Sequence, residues 1–195
     1  MLAQLTPLLK QIQQHCPQIR PDELQQFANG LTLFQLPHKS HLLQAGETPT
    51  QMVYLCHGLI KAYYSDEQGE LTNINFCQEG QFAGDYLAYM QQRPSKYSFQ
   101  CLEHCTLIGL PYAHIQHSLQ QSPQLERFFR LQLEQAFASY LQRTESFLIS
   151  QSEKRYRQFM QQHPELSKRL SLTDLASYLG IKRQHLTRIR QKMRG

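Results

Sequence analysis

The chain has 195 residues, 41% of them hydrophobic, and a formal net charge of +5. That length suits one large domain or a medium domain with a small one, since domains commonly hold about 100 to 150 residues. No apolar run approaches the roughly 20 residues that span a bilayer, and glutamines interrupt "MLAQLTPLLKQIQQHCPQIR" where a signal peptide needs an unbroken apolar stretch. A cytoplasmic protein is therefore expected.

Residues 1–28 show apolar positions at helical spacing, with Pro21, Asp22 and Glu23 opening a short helix. After Asn29-Gly30 the pattern changes to short alternating or apolar runs: "LTLFQL", "HLLQ", "MVYLCHGLIKAYY", "LTNINF", "SFQCLE" and "CTLIGL". Gly46, Gly58, Gly69, Gly80 and Gly84 punctuate these runs, which predicts a sandwich or rolled barrel of about eight antiparallel strands with "SDEQGE" as a hairpin tip. The five cysteines are scattered and odd in number, which fits a reducing compartment. Cys101, His104 and Cys105 in "CLEHC" lack a second ligand pair at zinc spacing, so no metal site is assigned.

Pro111 and Pro123 flank a short helical stretch, and a long helix is predicted from about Ser122 to Ser150. Along it Phe129, Leu133, Ala136, Tyr140, Thr144 and Phe147 recur close to a heptad seam, and Leu125, Phe128, Phe137, Leu141 and Leu148 widen the apolar surface. The seam suits either a core within one subunit or contact with a second copy. "SEKRYRQFMQQHPEL" gives a helix that stops before Pro164. In "LSLTDLASYLG" either Ser171 or Thr173 is placed as an N-cap, Gly180 supplies a turn, and helical spacing resumes through Ile181, Leu186, Ile189 and Met193.

Charge separates this end from the rest. Residues 153–195 carry eleven Lys and Arg against Glu153, Glu165 and Asp174, a net of +8, while the remainder carries nine basic and twelve acidic residues, a net of −3. A cationic module on an acidic carrier is the footprint of polyanion binding. In the last helix Arg183, Gln184, His185, Thr187 and Arg188 project opposite the apolar set, where a helix-turn-helix reads bases. Arg gives two hydrogen bonds to guanine and Gln two to adenine in the major groove, which makes Arg183, Gln184 and Arg188 the candidate base readers. Thr173, Lys182, His185, Thr187, Arg190 and Lys192 are the candidate phosphate contacts.

"TDLASYLGIKRQHLTRIRQ" resembles the helix-turn-helix of the Crp/Fnr transcription regulators. That family carries Arg, an adjacent acid and a second Arg where this chain has Arg183, Gln184 and Arg188; Gln184 in place of the acid removes the carboxylate partner for cytosine N4, so the usual operator is not implied. The stretch from "LLQAGETPTQMVYLCHGLIKAYYSDEQGELTNINFCQEGQFAGDY" to "CTLIGL" similarly resembles the family's cyclic-nucleotide-binding β-roll. The resemblance implies an α+β fold: a sensory antiparallel β-roll over 1–121, a dimerisation helix over 122–150 and a helix-turn-helix domain over 151–195. It is to a short form, since the chain stops at Gly195 without the β-hairpin wing of many members; affinity is then expected to lean on the dimer and on Arg190, Lys192 and Arg194.

The candidate effector pocket implied by the resemblance is Gly84, Asp85, Tyr86, Ser95, Lys96 and Tyr97. Cyclic-nucleotide members use Gly-Glu-Leu for the ribose and Arg-Ser for the phosphate. Here Asp85 replaces the Glu and Ser95 stands at the Arg position, so the forked cation is missing; Lys96 offers only a point charge and Arg93 stands two positions early. Cyclic nucleotide is thus a disfavoured candidate ligand, and no cofactor is assigned. Cys16 alone does not supply the N-terminal cysteines of iron-sulfur members, and none of the nine histidines is singled out as a haem ligand. The expected partners are double-stranded DNA and a second copy of the chain, with RNA polymerase a candidate and no membrane. The alternative is a small-molecule-binding β-roll whose basic tail serves a protein or RNA partner. An enzyme is not expected, because "NINFCQEGQFAGDY" lacks the His-x-His and carboxylate set of a cupin.

Overall fold

The computed structural model describes residues 2–193, apart from the side chains of residues 2–4; Arg194 lies outside the described residues. These residues form two compact units, one comprising the chain up to Tyr64 with Asn75–Leu133, the other Ser65–Ile74 with Glu134 onward.

In the first unit α1 (Leu2–His15) and α2 (Pro21–Asn29) open the chain. Leu5, Leu8 and Ile12 recur at three- and four-residue spacing on α1 and are at most 2% exposed, so one stripe of the helix is buried. The strands among the described residues are β1 (Thr32–Leu36), β2 (His41–Leu43), β3 (Gln51–His57), β4 (Ile60–Ser65), β5 (Leu71–Cys77), β6 (Phe82–Ala83), β7 (Ser98–Cys101) and β8 (Cys105–Pro111). They form two four-stranded sheets in the orders β1-β8-β3-β6 and β2-β7-β4-β5. β8 pairs antiparallel with β1, Thr32 opposite Gly109, and with β3, Tyr54 opposite Ile108. This matches the expected roll. The run "MVYLCHGLIKAYY" breaks into β3 and β4 at Gly58, where φ is +105° and a Cβ would meet Cys105 Sγ and His104 O at 2.7 Å.

Two elements of the roll go beyond the expectation: β6, only two residues long, and α3 (Tyr86–Gln91). Neither is long enough to show a period. After β8 come α4 (Tyr112–Gln121) and the long α5 (Pro123–Ile149), close to the predicted spans. Ser122 Oγ accepts from Leu125 N at 3.3 Å and starts α5. Leu125 and Phe128 join Leu5, Leu8, Ile12, Phe27, Tyr54, Ile108 and Leu110 in one core. Each fully buried Leu or Phe contributes about 1.5–3 kcal/mol. The compact division falls within α5, after Leu133, because only the first part of that helix buries side chains in this core.

The second unit holds the rest of α5, then α6 (Ser152–Gln162), α7 (Pro164–Arg169), α8 (Leu172–Tyr178) and α9 (Arg183–Lys192). α6 ends before Pro164 as predicted, and that proline then occupies the first turn of α7, where its missing N–H costs nothing. Tyr156, Phe159, Leu166, Leu175, Ala176, Leu179, Leu186 and Ile189 are the buried residues of α6 to α9 and their joints.

Candidate nucleic-acid interface and effector pocket

α8 begins at Ser171, whose Oγ accepts from Asp174 N at 3.0 Å; of the two predicted caps it is Ser171 that serves. At its end Gly180 N donates to Ser177 O and Ile181 N to Ala176 O, with Gly180 at φ +64°. This pair of bonds is a Schellman closure, which turns the chain sharply and needs a residue tolerant of positive φ. The turn delivers α9 with Leu186 fully buried and Ile189 5% exposed against α8.

The opposite face of α9 carries the candidate readers. Lys182, Arg183, Gln184, His185, Thr187 and Arg188 are all exposed, as are Thr173 and Lys192, while Arg190 is half-buried. Among the described residues no hydrogen bond or ion pair takes up the side chains of Arg183, Gln184 and Arg188, leaving their donors for an external partner. The phosphate candidates are more tied. His185 Nε2 lies 2.9 Å from Ser152 Oγ, Thr187 Oγ1 donates to Arg183 O at 3.1 Å, and Lys192 Nζ stands 3.3 Å from Glu153 Oε2. Glu153 also accepts from Arg157 at 2.5 Å, and that bond, ahead of Lys192, holds its carboxyl below the usual range.

The +8 charge is therefore not all available to phosphate. Arg155 is structural: Nη1 donates to Ser150 O at 2.6 Å, Nε to Leu179 O at 3.2 Å, and the guanidinium sits 4.8 Å from the Phe147 ring centroid. It caps the carbonyl ends of α5 and α8, where a cation is favoured by the helix dipole. Lys168 pairs with Glu165. The exposed cations Lys182, Arg183 and Arg188 remain on the start and middle of α9.

In the first unit Gly84 holds φ +139°, and a Cβ there would meet Met52 Sδ at 2.6 Å. Asp85 caps α3: Oδ1 accepts from Ala88 N at 3.1 Å, and Oδ2 accepts from Ser95 Oγ at 2.9 Å. Ser95 is 4% exposed and accepts in turn from Tyr97 N at 3.0 Å. Its backbone is clasped by Gly46 N donating to Ser95 O and Ser95 N donating to Glu47 O. The carboxylate and hydroxyl thus satisfy each other.

A concavity of about 190 Å³ nearby is lined by Leu42, Leu43, Glu47, Thr48, Pro49, Thr50, Gln51 and Gly84. It lies below the roughly 300 Å³ of ordinary ligand pockets. Of the six pocket candidates only Gly84 borders it; Asp85, Ser95 and Tyr97 are joined by hydrogen bonds, and Tyr86 and Lys96 are exposed. Burial pushes the Cys56 thiol up to about 11 and Cys77 up to about 12, so both stay protonated near neutral pH. No group of three His, Cys, Asp or Glu among the described residues is placed to hold a metal ion.

Residues 33–122 match the cyclic nucleotide-binding domain family. Solved structures extend the likeness to most of the chain. FixK2 from Bradyrhizobium japonicum superposes with a TM-score of 0.75 at 11% identity, covering 84% of each chain. The c-di-GMP responsive global regulator CLP of Xanthomonas campestris gives 0.74 at 14% identity, covering 90% of this chain and 92% of its own. A Crp/Fnr family regulator from Eubacterium rectale gives 0.71 at 11%, covering 91% and 85%. The chain has the Crp/Fnr fold. No curated protein matches it by sequence.

Within the Crp/Fnr fold the proposed dimerisation helix divides its predicted seam. Phe129 packs on Phe27, Phe82 and Phe128 in the first unit, and Phe147, though 39% exposed, lies between Arg143 and Arg155 in the second unit. Leu133, Ala136, Tyr140 and Thr144 are exposed, and so are Phe137 (64%), Leu141 (47%) and Leu148 (80%). Phe137, Leu141, Thr144 and Leu148 share one helical face, rotated from the stripe through Ala136 and Phe147. The sequence pattern places Thr144 in the seam and Phe137, Leu141 and Leu148 only among the residues that widen the apolar surface. It gave no role to Asn73 or Arg143, which the structure buries or half-buries among polar contacts of the second unit. An isolated Asn in a strand and an Arg in a helix give no periodic signal.

Proposed function

We propose that the chain is a homodimeric, sequence-specific, DNA-binding transcription regulator of the cytoplasm and not an enzyme. The observation that carries the reading is α9 itself: apolar Leu186 and Ile189 are buried, and the opposite face holds out Arg183, Gln184, Thr187 and Arg188. A helix so presented fits the major groove, with Arg183 and Arg188 on guanine edges, Gln184 on adenine, and Thr173, Lys182, His185, Thr187, Arg190 and Lys192 near phosphates. A second copy docks along the exposed α5 face of Phe137, Tyr140, Leu141, Thr144 and Leu148. Two reading helices then enter successive major grooves about 34 Å apart. RNA polymerase is the candidate partner of the DNA-bound form.

The cyclic-nucleotide-binding-like domain does not take a cyclic nucleotide tightly in this reading. Asp85 and Ser95, the positions that would face ribose and phosphate, spend their oxygens on each other and on Ala88 and Tyr97, and no forked cation stands beside them.

The test is base discrimination measured on full-length protein. Arg183→Ala and Arg188→Ala should each lose about 1–3 kcal/mol of preference at one base position while other positions keep theirs. Equal weakening on every sequence contradicts base reading, and tighter binding to RNA of the same length contradicts the choice of DNA.

A further inference from the structure

Asn73 is 2% exposed, and its backbone N–H, backbone carbonyl and amide Nδ2 are engaged within the second unit. Its N–H donates to Ser177 Oγ at 2.8 Å, and its amide Nδ2 donates to the carbonyl and to Oδ1 of Asp174, both at 3.1 Å. Its carbonyl accepts from Arg143 Nη2 at 3.3 Å. Ser177 Oγ donates onward to Leu71 O at 3.0 Å. The segment Ser65–Ile74 is thereby stitched to α8 at two positions one helical turn apart.

Arg143 closes the arrangement from α5. The same Nη2 donates to Tyr178 O at 2.9 Å, and the guanidinium lies 4.3 Å from the Tyr178 ring centroid and 4.9 Å from that of Phe147. Arg143 thus bridges α5, the last residue of α8 and the Asn73 carbonyl. A planar, forked cation suits such a post, and lysine cannot reproduce it. Arg143 Nε is buried without a partner, but the bonds the set does make favour one arrangement, because partial opening leaves further desolvated groups unpaired.

We infer that Asn73 and Arg143 are positioning residues for the DNA reader: they lock α8, and α9 through the Schellman turn, in one pose against α5. The inference rests on the proposed DNA-binding dimer. If α5 is the dimer helix, the pose of α8 and α9 on it sets the separation of the two reading helices, which two half-sites must match. The contacts fall on Asp174, Ser177 and Tyr178 and leave Arg183, Gln184, Thr187 and Arg188 exposed. A contact that masked the reader would cover that face; this one braces it from behind.

The experiment measures affinity of the full chain for a palindromic duplex, for versions with one or two base pairs added or removed between half-sites, and for a single half-site. Asn73→Asp removes the bonds donated by Nδ2 and sets a carboxylate against Asp174. It should weaken binding at the preferred spacing by about tenfold or more, the scale of one charge-assisted bond. Half-site affinity should stay within about threefold, and the spacing preference should flatten. Adding Asp174→Asn to that variant restores a donor and should return both. Arg143→Gln should flatten the spacing preference in the same way, and Ser177→Ala serves if either variant unfolds. An unchanged spacing preference in the folded variants overturns the inference, as does equal loss on half-site and palindrome. Wild-type protein that binds no palindrome overturns the DNA reading beneath it.

Discussion

Cations of one type do different work here, and the difference is set by what each guanidinium touches. Arg155 donates to Ser150 O and Leu179 O, whereas Arg183 and Arg188 are exposed. Arg155→Ala should destabilise the chain by about 1–3 kcal/mol because it strands carbonyls at two helix ends. Arg183→Ala should change stability by no more than about 0.5 kcal/mol, as surface substitutions commonly do. Urea unfolding of both variants checks this, and equal effects would contradict the division. In sequence these arginines look alike, and the count of eleven cations treats them alike. Their separation needs tertiary information, namely which carbonyls lack a partner. The exposed face of α9 was legible, because Leu186 and Ile189 at helical spacing determine which residues stand opposite. Asp85 and Ser95 were legible as departures from the family pattern, but their mutual bond was not, since the residues are ten apart and meet only when α3 is formed.

At the scale of elements, α5 carries the largest exposed apolar surface of the second unit, with Phe137 64% and Leu148 80% exposed. Contiguous apolar surface of this kind marks an interaction site. Phe137→Glu should convert the dimer to monomer in sedimentation equilibrium and abolish two-half-site binding; a dimer that survives contradicts the proposed face. The helix was predictable from its period, yet its outward stripe was not, because Phe129 has the same apolar character as Phe137 and differs only in what packs on it. A second prediction concerns the α6–α7 joint. His163 is half-buried with its ring 5.2 Å from that of Phe159, and burial holds its pKa below the ordinary 6.5. The unfolded chain then binds the proton more readily than the folded one, so stability is full above about pH 6.5 and falls as pH drops below it. His163→Gln should flatten that slope in unfolding curves taken between pH 5 and 7, conditions set around the ordinary value. A slope equal to wild type removes His163 as its source. Short elements escaped the sequence: α3, α7 and β6 span at most six residues each.

For the whole molecule, the order of roll, long helix and helix-turn-helix was readable because each part has its own pattern: alternating runs punctuated by glycine, an extended helical period, and a capped pair hinged at Gly180. The grouping of Ser65–Ile74 with the C-terminal helices was not. "SDEQGE" is polar and reads as a solvated tip, and indeed Asp66 Oδ1 accepts from Gln68 N and Glu70 N in a local turn. Asn73 and the Leu71 carbonyl, just beyond the tip, tie the segment down. The functional account rests on one claim above the others, that α9 reads DNA sequence. The measurement that tests it most directly is selection of bound duplexes from a random DNA pool by the full chain, with and without cyclic AMP. The account predicts an inverted repeat enriched in both arms, its half-sites about 10 base pairs apart centre to centre, with guanine and adenine positions in each half. No enrichment in either arm, or enrichment only with cyclic AMP, would contradict it.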